Sequence, residues 1–493
     1  MTLFLGIDQS TSATKALLFN QSGELLDKVS LSHRQIYPSP RWVEHDAEEI
    51  YQNTLRAARS LLEKQPGDLL SISITNQRET FVVFERSSGK PLYHAIVWQC
   101  QRGEPICRHM VEAGHGDLVQ AKTGLLIDTY FPASKIKWLL NERPDIRLQV
   151  EHGRALIGTM DAYLVYRLTG GRQFATDHTN ASRTLLYDIT HLNWDPELCD
   201  LFGIPVAALP EVRESPACYG ETDLAGLLPK PLPIYGVMGD SQAALFAQRC
   251  FQPGSAKVTF GTGSSILLNI GSEKKAPPHG IVTAVGWVLN GRPTFAYEGI
   301  TNFTGATIQW LRDQLQLIQS VEETEALAES VADNGGVYLV PAFVGLSAPY
   351  WRPEARAGIL GLTPGATKAH VVRAALESIA YVVNDVLQLM GREAGLGLGY
   401  IQADGGAVRN RFLMQFVSDI SGLVVRASTT PELSALGAVL SGMLGLGVYR
   451  SLDDIQKIPA GYTEYRPHMP AAQAASLVSG WQKAVEKVLY SRE

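Results

Sequence analysis

One pattern occurs twice in this chain, and it limits the folds open to it. Near the start, "LFLGIDQSTSATKALLFN" reads as a strand, a turn dense in Ser and Thr, and a second strand; after about residue 255, "SAKVTFGTGSSILLNIG" reads as a strand, a glycine-rich turn and a strand. The first meander continues through the turn "QSG" into "ELLDKVSLS". A helix follows over "DAEEIYQNTLRAARSLLEK", with Asp46 as its N-cap and apolar residues every three to four positions, and then a strand at "LLSISIT". No Gly-x-Gly-x-x-Gly opens a helix after the first strand, so a Rossmann unit is not expected. The second meander continues into a strand at "GRPTFAYEGI", helices at "GATIQWLRDQLQLI" and "KAHVVRAALESIAYVVNDVLQLM", a strand at "GYIQADGG" and a helix at "RFLMQFVSDISG". This implies two similar α/β halves, residues 1–248 and 249–493, hinged near 245–257 with a cleft between them.

A chain of 493 residues is too long for one ordinary core, which agrees with two domains. The net charge of −6, without a basic block, gives no reason to expect nucleic acid as a partner. The N-terminus has no basic segment before its apolar residues, and no apolar run is long enough to span a bilayer. The five cysteines are scattered, with no Cys-x-x-Cys pair, as in a reduced cytoplasmic protein with buried thiols. The eleven histidines show no zinc-binding spacing.

Chemistry concentrates at the turns and at two aspartates. The turn "DQSTSATK" offers hydroxyl and N–H donors to phosphate oxygens, and in "FGTGSS" the glycines allow close backbone approach while Thr262 adds a hydroxyl. A third loop, "ADGGAVRN", puts a glycine pair between a strand and a helix start, where anions are favoured. Each turn alone is compatible with an ordinary hairpin or loop; three of them in two repeated halves point to phosphate. Asp8 ends the first strand. Asp240, in "VMGDSQAALFAQ", stands where a strand becomes a helix, a place that suits either an N-cap or a reacting carboxylate.

Longer motifs carry a resemblance. "TNQRETFVVFERSSGKPLYHAIVWQC", "YFPASKIKW", "TDHTNASRTLLYDI", "GLSAPYWRPEARAGILGLTPG" and "DGGAVRNRFLMQFVSDISG" resemble the FGGY carbohydrate kinases of the actin-like ATPase superfamily, nearest to their glycerol kinase branch. The resemblance implies two ribonuclease-H-like domains with a central ATP and substrate cleft, and transfer of phosphate from ATP to a terminal hydroxyl of a small polyol. It makes Asp240 the general base, and Asp8, with Asp240, the holder of Mg²⁺. The two aspartates are expected to approach one metal–nucleotide from the two halves. Thr11, Ser12 and Lys15 then form the first phosphate turn, and Gly261 and Thr262 the second. Gly305, Gln309, Gly405, Gly406 and Asn410 fall where the family holds the nucleotide. Arg78 and Glu79 would hydrogen-bond the polyol, whose carbons Trp98 and Tyr130 would cover. Assembly as dimers or tetramers is implied as well.

Several residues depart from that branch. Ser241 replaces a glutamine after the base, Ser265 replaces a phenylalanine beside the acceptor, and Ser10 replaces a glycine. The first two remove bulk, so a larger acceptor, a tetritol or pentitol, stands as an alternative, as does a ketose such as xylulose. A catalytically silent sugar-binding regulator is the alternative of another class. The stretch "ETDLAGLLPKPLPIYG" lacks the glycine-rich, basic composition of the family's fructose 1,6-bisphosphate loop, and regulation of that kind is not expected. The tail "PHMPAAQAASLVSGWQKAVEKVL" reads as a closing amphipathic helix.

Overall fold

A computed structural model describes residues 2–64 and 67–490. The chain divides into two units. Unit 1 holds the residues up to Arg249 together with Thr283–Phe295 and Glu432–Pro459; unit 2 holds Cys250–Val282, Ala296–Pro431 and the chain from Ala460 onward.

Unit 1 is built on a six-stranded sheet of β1 (Thr2–Gln9), β2 (Ala13–Asn20), β3 (Leu25–Ser32), β4 (Asp68–Asn76), β5 (Cys218–Thr222) and β6 (Leu232–Gly239), in the order β5-β6-β4-β1-β2-β3. β1, β2 and β3 form the expected antiparallel meander, while β1, β4 and β6 run parallel. Parallel neighbours need crossover connections, and α1 (Ala47–Lys64) lies in the one that brings the chain from the end of the meander back to β4, beside β1. Asp46 caps it, its Oδ1 accepting from the Glu48 and Glu49 N–H groups at 2.9 and 3.2 Å. After its first residue β1 is buried throughout, as a strand covered on both faces must be.

In unit 2, β7 (Ala256–Phe260) pairs antiparallel with β8 (Ser264–Gly271) and parallel with β9 (Tyr400–Asp404), which pairs parallel with β10 (Val424–Ser428); β11 (Tyr462–Tyr465) closes that edge antiparallel. The order β8-β7-β9-β10-β11 repeats β2-β1-β4-β6-β5 of unit 1, direction included. The ribonuclease-H-like pattern is therefore present twice.

The helices α2 (Asp240–Ala247), α3 (Gly305–Asp313), α5 (Arg411–Ser421) and α6 (Leu433–Gly445) adjoin the site residues, while α4 (Lys368–Ala394) and the closing α7 (Ala471–Leu489) belong to the body of unit 2. Two sequence expectations need correction. Glu432–Pro459, assigned by sequence to the second half, returns to unit 1. It carries α6, whose residues "LSALGAVLSGMLG" are apolar on nearly every side and so give no amphipathic signal. That composition fits its position against β1, β4, β6 and α2. At Gly437 an added Cβ would lie 1.8 Å from the Ala243 carbonyl oxygen, so only glycine permits the α6–α2 approach. Asp8 and Asp240 also do not come from different halves. Asp240 follows β6, which pairs with β4 in the sheet that holds β1, so both belong to unit 1.

Candidate functional site

In unit 1 the site residues cluster at the C-terminal ends of β1, β4 and β6, where parallel strands hand over to turns and helices. Asp8, near the end of β1, faces Lys15 on β2 in the ladder, and Lys15 Nζ lies 3.1 Å from Asp8 Oδ2. The same ammonium donates to Glu432 Oε2 at 2.7 Å, while Lys28 Nζ meets Glu432 Oε1 at 2.9 Å. Burial raises the Asp8 carboxyl to about 6; Lys15 opposes this, and the charges of Glu432 and Asp240 add to it. Burial pulls Lys15 down, yet its two carboxylates outweigh that and hold it above the usual lysine range. Glu432 takes part in this network and was not anticipated: no local signal connects it to a lysine 417 residues earlier.

Asp240 is the first residue of α2, after Gly239 at the N-cap. Its Oδ1 accepts from the Ser241 N–H at 2.6 Å and lies 3.2 Å from Arg78 Nε. Its side chain is 40% exposed, so the carboxylate is oriented yet open to a ligand. Arg78 is buried and donates from Nη1 to Gln242 Oε1 at 3.1 Å. Its stem crosses Gly239, where an added Cβ would stand 2.7 Å from Arg78 Cγ.

Glu79, beside it, is buried with φ 64°, a left-handed backbone that non-glycine residues rarely adopt. It accepts from Arg183 Nε at 2.6 Å. Arg183, fully buried, is a second residue that sequence reasoning missed, although "TDHTNASRT" contains it. Trp98 and Tyr130, both half-buried, meet with ring centroids 5.3 Å apart, and the Trp98 indole N–H donates to Thr11 Oγ1 at 3.0 Å. Thr11 thus joins the first turn to the aromatic pair. Ser12 is exposed at the tip of that turn.

In unit 2 the glycine turn is built from backbone. Gly261 N–H donates to the Gly263 carbonyl at 2.9 Å, and an added Cβ at Gly263 would stand 2.2 Å from the Thr301 carbonyl oxygen. The Gly305 N–H donates to the Gly261 carbonyl at 3.0 Å, and the Thr304 and Ala306 N–H groups donate to Thr262. The start of α3 is therefore used to hold the turn. Gln309, on α3, is exposed. Gly405, at φ 95°, passes so close to Phe260 that a Cβ would lie 2.4 Å from its carbonyl oxygen; Gly406 has open space at its Cα. Asn410 caps α5 through Leu413 N–H at 2.9 Å and donates to Thr324 Oγ1 at 3.1 Å. Ser265 Oγ lies 3.4 Å from Glu298 Oε1.

Asp8 and Asp240 are oxygen donors of the kind a hard divalent cation takes, and their mutual repulsion is what a cation would relieve. Two carboxylates are compatible with Mg²⁺, which keeps waters in its other positions; among the described residues no group of three or more His, Cys, Asp or Glu gathers around one point. No helix among the described residues is long and apolar enough to cross a membrane.

Both halves of the chain are similar to known proteins. Residues 3–247 match the N-terminal domain, and residues 256–446 the C-terminal domain, of the FGGY family of carbohydrate kinases. Glycerol kinase 1 of Thermotoga maritima is 46% identical over 98% of this chain and 99% of its own length. A glycerol kinase of Symbiobacterium thermophilum is 47% identical over 98% and 97%. The crystal structure of Plasmodium falciparum glycerol kinase with ADP superposes with a TM-score of 0.94 at 35% identity, over 99% of this chain and 98% of that one. With both of its domains matched and relatives this similar over their full length, the chain belongs to the FGGY family of carbohydrate kinases.

Proposed function

We propose that this kinase transfers the γ-phosphate of ATP to a terminal hydroxyl of a small polyol, with glycerol as the first acceptor to test. The observation that carries the reading is Asp240: a half-open carboxylate at a strand-to-helix junction, oriented by buried Arg78 beside a buried Glu79. A carboxylate that stays reachable while its neighbours are locked is suited to take a proton from an attacking hydroxyl. Arg78 and Glu79 supply a donor fork and an acceptor, the pair that vicinal hydroxyls need. Trp98 and Tyr130 offer apolar faces to the carbon chain.

Lys15, with Thr11 and Ser12, places positive charge and hydroxyls at the first turn, and Gly261 and Thr262 present backbone at the second. Gly305, Gln309, Gly405, Gly406 and Asn410 are assigned to the nucleotide on the family resemblance. Asp8 and Asp240 would hold Mg²⁺, which supplies charge neutralisation on the transferring phosphate. Residence in the cytoplasm and assembly as dimers or tetramers are carried over on the same footing.

The test is a coupled ADP-release assay with glycerol, erythritol, threitol, xylitol and xylulose. Turnover of glycerol above the others supports the main reading; no turnover of any acceptor overturns it. Ser241 and Ser265, smaller than the glutamine and phenylalanine of the glycerol kinase branch, favour a second reading in which a tetritol or pentitol is preferred.

A further inference from the structure

The motif "YFPASKIKW" places a lysine in the protein interior whose chemistry the reaction above does not use. Lys135, in the first half of the helix Pro132–Glu142, is fully buried. Its ammonium donates to three backbone carbonyls: Val97 at 3.2 Å, Trp98 at 3.3 Å and Tyr130 at 3.3 Å. No carboxylate forms an ion pair with it among the described residues. Burying an ammonium without a counter-ion is costly, and such a group survives only when its hydrogen bonds are satisfied. Three N–H groups meet three carbonyls here, and two of those belong to Trp98 and Tyr130, the aromatic pair assigned to the acceptor.

The pair has other anchors besides: the Tyr130 N–H donates to Asp128 Oδ1 at 2.7 Å, and its ring meets that of Phe131 with centroids 5.4 Å apart. The Trp98 N–H reaches Thr80 Oγ1 at 3.3 Å and its indole reaches Thr11, while the two rings tilt at 55° to each other. Both residues lie outside regular ladders, and the Lys135 ammonium is a donor that their two carbonyls share.

We infer that Lys135 is a positioning residue for the acceptor: it ties the Val97–Trp98 segment to the Tyr130 turn and sets the spacing of the two rings against the polyol. The inference rests on the polyol kinase reading. Burial pushes the Lys135 ammonium down to about 8; of the groups that face it, Cys100, Glu79, Asp128 and Cys107, the carboxylates of Glu79 and Asp128 oppose that fall. Cys107 is itself pushed up to about 11 by burial and stays a thiol through that range. A neutral amine has two N–H groups, so deprotonation releases one of the three carbonyls.

The experiment measures KM for the polyol and for ATP across pH, in the native enzyme and in Lys135→Met. In the native enzyme the polyol KM is expected to rise as pH passes about 8 while the ATP KM holds steady. In Lys135→Met the polyol KM is expected to be about tenfold higher at neutral pH, with the ATP KM changed less than about twofold and the pH-dependent rise lost. A native polyol KM that stays flat through that range overturns the inference, and this needs no variant to fold. So does a folded Lys135→Met enzyme with a native polyol KM. If the native enzyme phosphorylates no polyol, it is the functional reading beneath that fails.

Discussion

The hairpin turn of β1 and β2 and that of β7 and β8 occupy the same place in two sheets of the same order, yet they are made of different material. At the second rung from the turn, unit 1 opposes Asp8 to Lys15, and unit 2 opposes Thr259 to Ser265. The first turn works through charge, with Lys15 held between Asp8 and Glu432. The second works through bare backbone, with Gly263 against the Thr301 carbonyl and Gly261 bonded to the start of α3. A duplicated scaffold preserves where the turn lies; the side chains on it are free to diverge. Charge localises a cation and a proton acceptor, whereas glycine backbone offers N–H groups without bulk.

The largest effect expected from this contrast is on the charged side. Asp240→Asn should lower kcat by about 10²–10⁴ while leaving nucleotide affinity near native; near-native turnover would remove the general-base role. Next, Lys15→Met and Gly263→Ala should fail in different ways. Lys15→Met leaves two carboxylates without their shared cation, costs about 1–3 kcal/mol of stability because the site is only partly buried and Glu432 keeps Lys28, and makes ATP binding less sensitive to salt. Gly263→Ala instead forces the turn away from Thr301, raising the ATP KM with its salt dependence intact. Equal salt behaviour in thermal melts and binding isotherms would break the distinction.

Smaller still, Ser265→Phe should shift preference toward glycerol over a tetritol by about tenfold in kcat/KM; an unchanged ratio would separate Ser265 from acceptor choice. Last, each unit buries a carboxyl with a raised value away from the site: in unit 1 Asp161 at about 7, through burial and the Asp177 charge, and in unit 2 Asp385 at about 6, through burial despite donors from Tyr350 and Trp481. Both folded values exceed the ordinary 3.8. The folded state therefore binds more protons, and their contribution is full below about pH 4 and is lost as pH rises through 6 to 7. Asp161→Asn and Asp385→Asn should each flatten part of that decline in denaturant melts.

Much of the fold was readable before any coordinates. The two meanders, α1 with its Asp46 cap, and α5 follow from alternation, helical period and capping chemistry, all of which act within a few residues. Boundaries were less secure: the helix expected over "GATIQWLRDQLQLI" ends at Asp313, and α4 runs on to Ala394, where Gly395 in the left-handed region stops it. α6 left no periodic trace because nearly every side of it is covered. Most residues assigned to the site by motif lie on turns, strand ends or helix starts of their own units, while Gln309 lies within α3. Asn410 shows a limit of such reading, because its side chain is already engaged in capping α5 and bonding Thr324.

The sequence by itself determined the repeated strand pattern, the glycine and hydroxyl content of the turns, and the family. Those are properties of short segments, fixed by backbone preference and by residue type. Only the tertiary structure decided that the strand leading to Asp240 joins the sheet that holds Asp8, that Glu432 closes on Lys15, and that Arg183 donates to Glu79. Those partners are chosen by which strands lie side by side and which helix covers them, and a buried charge finds its counter-ion wherever the packed chain brings one.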